Sequence, residues 1–86
     1  MEYIKEAKDL LEELISPIPV FVRPTAKKAI EKKIMEVAKE NGHAQIEVSD
    51  VLRGYILAGS GKDKERMKEF LSKKGIDLTP YADILG

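Results

Sequence analysis

The sequence contains no cysteine, and this absence removes two ways of stabilising so short a chain. Neither a disulfide nor a thiolate metal site can form, and nothing indicates an oxidising compartment. A chain of 86 residues buries only about two-thirds of the surface that its unfolded form exposes. Stability must therefore come from well-packed helices or from a partner.

Long apolar runs are also missing. No apolar stretch approaches the length needed to span a bilayer, and residues 1–6 lack the basic start and apolar core of a secretion signal. These absences predict a cytoplasmic protein with no membrane partner.

An excess of charge of either sign is absent too, because fifteen basic side chains balance fifteen acidic ones. This balance makes nucleic acid an unfavourable partner. It conceals an asymmetry along the chain, however. Residues 2–13 carry five acids against two lysines, whereas residues 23–39 carry six cations against two acids.

The spacing of apolar residues predicts an all-α fold, a compact domain of three to five helices with at most one short extended segment near residues 45–48. The first helix is expected over residues 2–15. The second opens at Pro24 or Thr25 and ends at Asn41-Gly42, a pair that favours the left-handed exit of a helix.

A third helix is expected to begin with Ser49 as its N-cap and Asp50 in its first turn. The rest of the chain predicts a helical extension over residues 62–86, attached to a core of about residues 3–58 within a single domain, 1–86. A charged helix over 62–74 and a last turn at Thr79-Pro80 would make up this extension. It either packs on the core or docks elsewhere.

Three prolines within residues 17–24 exclude a regular helix or a central strand there. We call this segment the connector. Four of its other residues are apolar, Ile18, Val20, Phe21 and Val22, so we expect a stiff segment laid against the core. Arg23, at the start of the second helix, is expected either to attract an anion or to pair with a neighbouring acid.

No constellation of catalytic residues is present. The single histidine, His43, lies near Ser49 and Asp50, but a serine and an aspartate before an apolar run are typical of a helix start. Residues 59–63 imitate a phosphate loop, but Ile56 stands where its first glycine belongs and Asp63 where a Ser or Thr belongs. We therefore predict no catalytic residue, no metal site and no cofactor.

A basic row on the second helix is the remaining candidate. At about 100° per residue, Lys28, Lys32 and Lys39 share one side, with Met35 beside them. Such a row either binds an acidic partner or only keeps a small helix soluble. The predicted partner-binding residues are Phe21, Arg23, Lys28, Lys32 and Met35.

The order of these signals resembles the small C-terminal domain of the B subunit of light-independent protochlorophyllide reductase. The resemblance covers about residues 3–58, and its most specific part is the Pro-x-Phe-Val-Arg motif at 19–23. It implies a compact helical accessory domain without iron–sulfur ligands or a substrate pocket. The sequence departs from the family at Tyr3, where a tryptophan is expected, and in the extra tail after Gly59.

Together these features predict a non-catalytic accessory module that docks on a protein, either a larger oxidoreductase or a second copy of itself. This hypothesis requires an exposed apolar patch near Val20, Phe21 or Met35. The alternative is a histone-like dimerising module that binds nucleic acid through residues 26–56, which needs a net basic face. An enzyme ranks last.

Overall fold

A computed structural model describes residues 1–59 and 63–85, and these residues form an all-α fold. The helices are α1 (Lys5–Ile15), α2 (Arg23–Glu40), α3 (Val48–Ala58), α4 (Lys64–Lys73) and α5 (Ala82–Leu85), with a 3₁₀ turn at Thr79–Tyr81. Within the described ranges, extended pairing is limited to one isolated parallel bridge between Tyr3 and Ile46. The predicted fold class is therefore confirmed.

The bridge explains why α1 begins at Lys5 and not at Glu2, as the periodicity suggested. The Ile46 N–H donates to the Glu2 carbonyl at 2.8 Å, and the Ile4 N–H donates to the Ile46 carbonyl at 3.0 Å. Residues 2–4 are held extended by this pairing, so the helix starts only after it. The apolar residues at positions 3 and 4 thus join the core without being helical.

Helix α3 begins one residue before the predicted cap, and Ser49 does not cap it. Glu47 is the N-cap, and its side chain accepts from the Asp50 N–H while the Asp50 carboxylate accepts from the Glu47 N–H at 2.9 Å. This reciprocal capping box satisfies two backbone donors that would otherwise lack partners.

The core is centred on α2 and α3, which pack closely because Gly54 of α3 lies directly against Ile34 of α2. Ile34, Ile46 and Ile56 are fully buried in this region. The apolar side of α1 completes the layer, through Ala7, Leu11, Leu14 and Ile15.

The C-terminal extension packs on this core. Leu71, Tyr81 and Leu85 belong to the same buried cluster as the apolar residues of α1 to α3. Helix α4 is bounded by Lys64 and Lys73, shorter than the predicted 62–74. The predicted start at Lys62 and the rejected phosphate loop, which includes residues 60–62, lie outside the described residues.

Glycines at two helix ends take the left-handed conformation, which the sequence predicted for the Asn41-Gly42 pair. Gly42 follows α2 with a φ of 69°, and Gly75 follows α4 with a φ of 78°. Other residues rarely adopt this conformation, because a Cβ would crowd the backbone.

Candidate functional site

The connector is a pair of tight turns that carries the chain from α1 into α2. The Ile18 N–H donates to the Ile15 carbonyl at 3.0 Å, and the Val22 N–H donates to the Pro19 carbonyl at 3.1 Å. The Arg23 N–H also reaches the Pro19 carbonyl, at 3.0 Å, so the turn runs directly into the helix. The connector is thus internally hydrogen-bonded.

Arg23 fixes this geometry with its side chain. Its guanidinium donates to the Ile18 carbonyl, from Nη2 at 2.8 Å and from Nε at 3.2 Å, and to the Ser16 carbonyl, from Nη2 at 3.1 Å. Those two carbonyls lie at and just after the C-terminus of α1, where cations interact favourably with the helix end. Among the residues that the structure describes, no acidic side chain pairs with Arg23, which was one of its two predicted roles.

Three apolar side chains of the connector face solvent. Val20 is 73% exposed, Phe21 86% and Val22 39%, and we call these three residues the connector patch. The prediction that the connector lies against the core is therefore wrong for all three, whereas Ile18 does pack against it. The error has a simple cause, since prolines interrupt the periodicity that would show which side of the segment is buried.

The exposed side of α2 carries Lys28, Lys32 and Lys39, which we call the lysine row, with the partly exposed Met35 among them. At about 100° per residue these four positions fall within about 60° of arc. None of the three lysines forms an ion pair or hydrogen bond with the described residues. By contrast, the neighbouring Lys33 pairs with Glu36 at 3.5 Å.

The structure thus separates the five predicted partner-binding residues into two groups. Four of them are exposed, Phe21 in the connector and Lys28, Lys32 and Met35 on α2, while the Arg23 guanidinium is directed to backbone carbonyls. The connector patch supplies what the docking hypothesis required, an exposed apolar surface near Val20 and Phe21. Whether any of these residues contacts a partner stays a prediction.

A second polar cluster was missed by the sequence reasoning. His43 Nδ1 lies 2.7 Å from Oδ2 of Asp50, which is fully buried, and Asn41 Nδ2 lies 3.5 Å from Oδ1 of the same carboxylate. The hydrogen bond to Asp50 raises the pKa of His43, and the negative charges of Asp50 and Glu47 add to this. The sequence held one signal, an acid seven residues after a histidine that directly follows the helix-ending Gly42.

An aspartate that orients an imidazole is also found in catalytic triads, where the imidazole then activates a nucleophile. Here no hydroxyl of the described residues is hydrogen-bonded to His43, and Ser49 is not part of the cluster. Nor do residues 1–59 and 63–85 gather three side chains suited to a metal ion. What the cluster does in this structure is fasten the α2–α3 turn to the first turn of α3.

A groove of about 520 Å³ lies on the inner side of the connector. Its walls come from the connector and from α2, α3 and α4, and they are mainly apolar, including Ile18, Ala29, Met67 and Phe70. Its polar lining residues include Arg66, Asp63 and the partly buried Tyr55, whose phenol has a pKa raised by burial and by the charge of Asp63.

Comparison with known proteins places the chain in a family. The family described as "Protein of unknown function (DUF2621)" matches residues 1–85. A protein of Bacillus subtilis (strain 168) named "Membrane protein YneK" is 40% identical over 80 residues, which are 93% of this chain and 56% of that protein. The chain thus spans little more than half the length of this relative. No solved structure matches it.

These matches correct the predicted resemblance to protochlorophyllide reductase, because the matching family is a different one. The motif at 19–23 that carried the resemblance has a local explanation. Arg23 closes the turn on the end of α1, and the prolines shape that turn, as any helix–turn–helix connection of this geometry would require. A short motif of this kind is therefore weak support for a family.

Proposed function

The chain belongs to the DUF2621 family of proteins of unknown function, and we propose that it is a non-catalytic docking domain that meets an anionic membrane surface. The contact would be made by the connector patch and the lysine row. The observation that carries the proposal is the exposure of Phe21 and Val20 directly before a helix that presents three lysines with no partner in residues 1–59 and 63–85.

The connector patch is held in place before any contact is made. A mobile apolar loop would lose conformational entropy when it binds, and that loss weakens binding. Here the Arg23 guanidinium and the turn hydrogen bonds fix the backbone around Phe21 before any partner arrives. The fold itself does not use the Phe21 side chain, so its exposure needs another explanation.

The composition of the exposed surface indicates the kind of partner that it fits. Protein interfaces are depleted in lysine and enriched in arginine, and stable ones bury about 800 Å² on each side. The connector patch has only three side chains, and the arginine beside it is already occupied by Ser16 and Ile18. Lysines on the helix that follows an exposed aromatic residue suit a bilayer surface better, because lysine stems lie along apolar surface while their ammonium groups reach the phosphates.

A second copy of the chain is a less suitable partner. In a two-fold dimer built on one patch, the same surface meets itself. The lysine row of one copy would then approach the lysine row of the other, with no acid in either row to neutralise it. Docking of the patch on an oxidoreductase was expected only through the corrected resemblance, and no observation favours the histone-like alternative.

The name of the Bacillus subtilis relative also supports the proposal. A protein named as a membrane protein is 40% identical to this chain over most of the chain's length. Residues 1–59 and 63–85 include no helix that is long and apolar enough to cross a membrane. If the chain meets a bilayer, these residues would do so from its surface. The proposal departs here from the sequence-based prediction of no membrane partner, which remains untested.

The test is co-sedimentation of the full chain with vesicles of phosphatidylcholine, with and without phosphatidylglycerol. Each lysine near an anionic surface contributes about 1 kcal/mol, so replacing all three members of the lysine row with Gln should weaken binding by roughly a hundredfold. Phe21→Ser should also abolish most binding, whereas rising salt should weaken the wild type.

The matched control is Leu57→Ser, which removes another exposed apolar side chain from α3, outside the connector patch. It should leave vesicle binding unchanged. Equal loss with Leu57→Ser, or no binding of the wild type to anionic vesicles, would overturn the proposal. A concentration-dependent dimer in sedimentation without vesicles, dissolved by Phe21→Ser, would instead assign the patch to a second copy.

A further inference from the structure

We propose that the groove behind the connector binds one long-chain fatty carboxylate, with the chain among the apolar walls and the carboxylate on Arg66. This site is distinct from the connector patch, which lies on the outer side of the same segment. The juxtaposition that carries the proposal is a mainly apolar groove whose lining includes Arg66, an arginine with no partner among the described residues.

The walls of the groove determine the body of the ligand. Ile18, Ala29, Met67 and Phe70 offer no hydrogen-bond donor or acceptor in their side chains, so a sugar or a nucleotide would lose its bonds to water without replacement. The volume of about 520 Å³ lies within the range of small-molecule sites. An unbranched hydrocarbon chain requires only apolar contact, and the groove provides it.

Arg66 determines the head group. The sequence has three arginines, and two of them have structural partners: Arg23 binds backbone carbonyls, and Arg53 pairs with Asp83 at 2.9 Å. Arg66 makes no hydrogen bond or ion pair with the described residues and is exposed beside the groove. A guanidinium presents a planar fork that matches a carboxylate in a two-pronged hydrogen bond.

Asp63 narrows the choice of anion. It also lines the groove, and its negative charge repels a ligand in proportion to the ligand's own charge. A doubly charged phosphate monoester is therefore disfavoured relative to a singly charged carboxylate. Tyr55 lines the groove as well, and burial raises the pKa of its phenol, which remains protonated at neutral pH.

The experiment is a titration of the full chain with laurate, kept below its micelle-forming concentration, followed by backbone amide NMR shifts. Saturable binding with shifts centred on Ala29, Met67 and Phe70 is expected. Arg66→Gln should weaken laurate at least tenfold, whereas the control Lys73→Gln, an exposed cation on the same helix, should not. Ala29→Leu should block the groove, while Ala82→Leu, the same change on the exposed surface of α5, should not.

Three results would overturn the proposal: no saturable shift with laurate, unchanged affinity in Ala29→Leu, or equal affinity for dodecanol, which lacks the carboxylate. Because no vesicle is present, failure here leaves the membrane-docking proposal standing. Conversely, Phe21→Ser should keep laurate binding while losing vesicle binding, so the two proposals fail separately.

Discussion

The two junctions that flank α2 are built in opposite ways. At the α2–α3 junction, polar groups are buried and paired: Asp50 is fully enclosed and held by His43 and the Glu47 N–H. At the α1–α2 junction, apolar side chains are exposed and the polar group turns inward: Phe21 faces solvent while Arg23 reaches the carbonyls of Ser16 and Ile18.

This contrast separates residues that the fold requires from residues that it does not. Packing and hydrogen bonding account for Asp50, Gly54 and Arg23, whose replacement would leave a clash or an unsatisfied group. Nothing in the fold accounts for Val20 and Phe21. Exposed apolar residues that the fold does not use are the natural candidates for function, and substitutions can test the distinction.

The largest effect is expected for Gly54→Ala, where α3 packs directly against α2. An added Cβ would lie 2.5 Å from Ile34 Cγ1 and 2.6 Å from the Ile34 Cα and N, so the two helix backbones must separate. Overpacking of this kind should lower the free energy of unfolding by about 2–4 kcal/mol, despite the better helix propensity of alanine. Urea denaturation followed by circular dichroism measures it.

The matched control for that substitution is Leu57→Ala on the exposed side of α3, which should change stability by less than about 1 kcal/mol. If Gly54→Ala changed stability as little as Leu57→Ala, close contact between the backbones of α2 and α3 would not be needed for stability. The contact between Gly54 and Ile34 would then accept a methyl group more easily than its distances indicate.

At the α1–α2 junction, Arg23→Met should lower the free energy of unfolding by about 1–3 kcal/mol. The change keeps much of the apolar stem but removes the hydrogen bonds to Ser16 and Ile18, and bonds from charged donors are stronger than neutral ones. Lys28→Met, an exposed position on the same helix, is the control and should be nearly neutral. Equal stabilities of the two variants would mean that the guanidinium does not hold the connector.

The sequence predicted well those features that depend on neighbouring residues. Asn41-Gly42 marked the end of α2 because only a few residues accept a positive φ, and the structure places Gly42 there. The apolar spacing of α1 and α2 identified their buried sides, including Ile30 and Ile34. The short segment near Ile46 was expected to form no more than a bridge, which is what it forms.

The features that sequence reasoning missed depend on contacts between segments. Ser49 was predicted as the N-cap of α3, but Glu47 is the N-cap, and its N–H donates to the Asp50 carboxylate. His43 and Asn41 approach that carboxylate only once the turn between α2 and α3 has formed, so the sequence alone did not show this arrangement. The connector was expected to lie against the core because apolar composition was taken to mean burial, although the docking hypothesis required an exposed apolar patch near Phe21. That rule fails where an apolar residue serves a contact made outside the chain.

A smaller effect on stability is expected when the pH is changed, because of His43 at the α2–α3 junction. The hydrogen bond with Asp50 raises the pKa of His43 above its ordinary value of 6.5 in the folded chain. This stabilisation is therefore complete below pH 6.5 and is lost as the pH rises through the folded-state pKa. The urea concentration at the unfolding midpoint should fall for the wild type as the pH rises from 5.5 to 8.5, and it should change less for His43→Gln. If the midpoints of the two proteins changed equally with pH, protonation of His43 would not contribute to stability.

The smallest effect on stability is expected for Phe21→Ser, within about 0.5 kcal/mol of the wild type, because an 86% exposed ring makes little contact to lose. A loss above 1 kcal/mol would mean that the ring packs on the protein in solution, and the two junctions would no longer differ in kind. A near-zero change has a stronger consequence. If Phe21→Ser leaves stability unchanged, a loss of vesicle binding by the same variant cannot be attributed to unfolding. The loss would then measure the contribution of the Phe21 side chain to the docking contact.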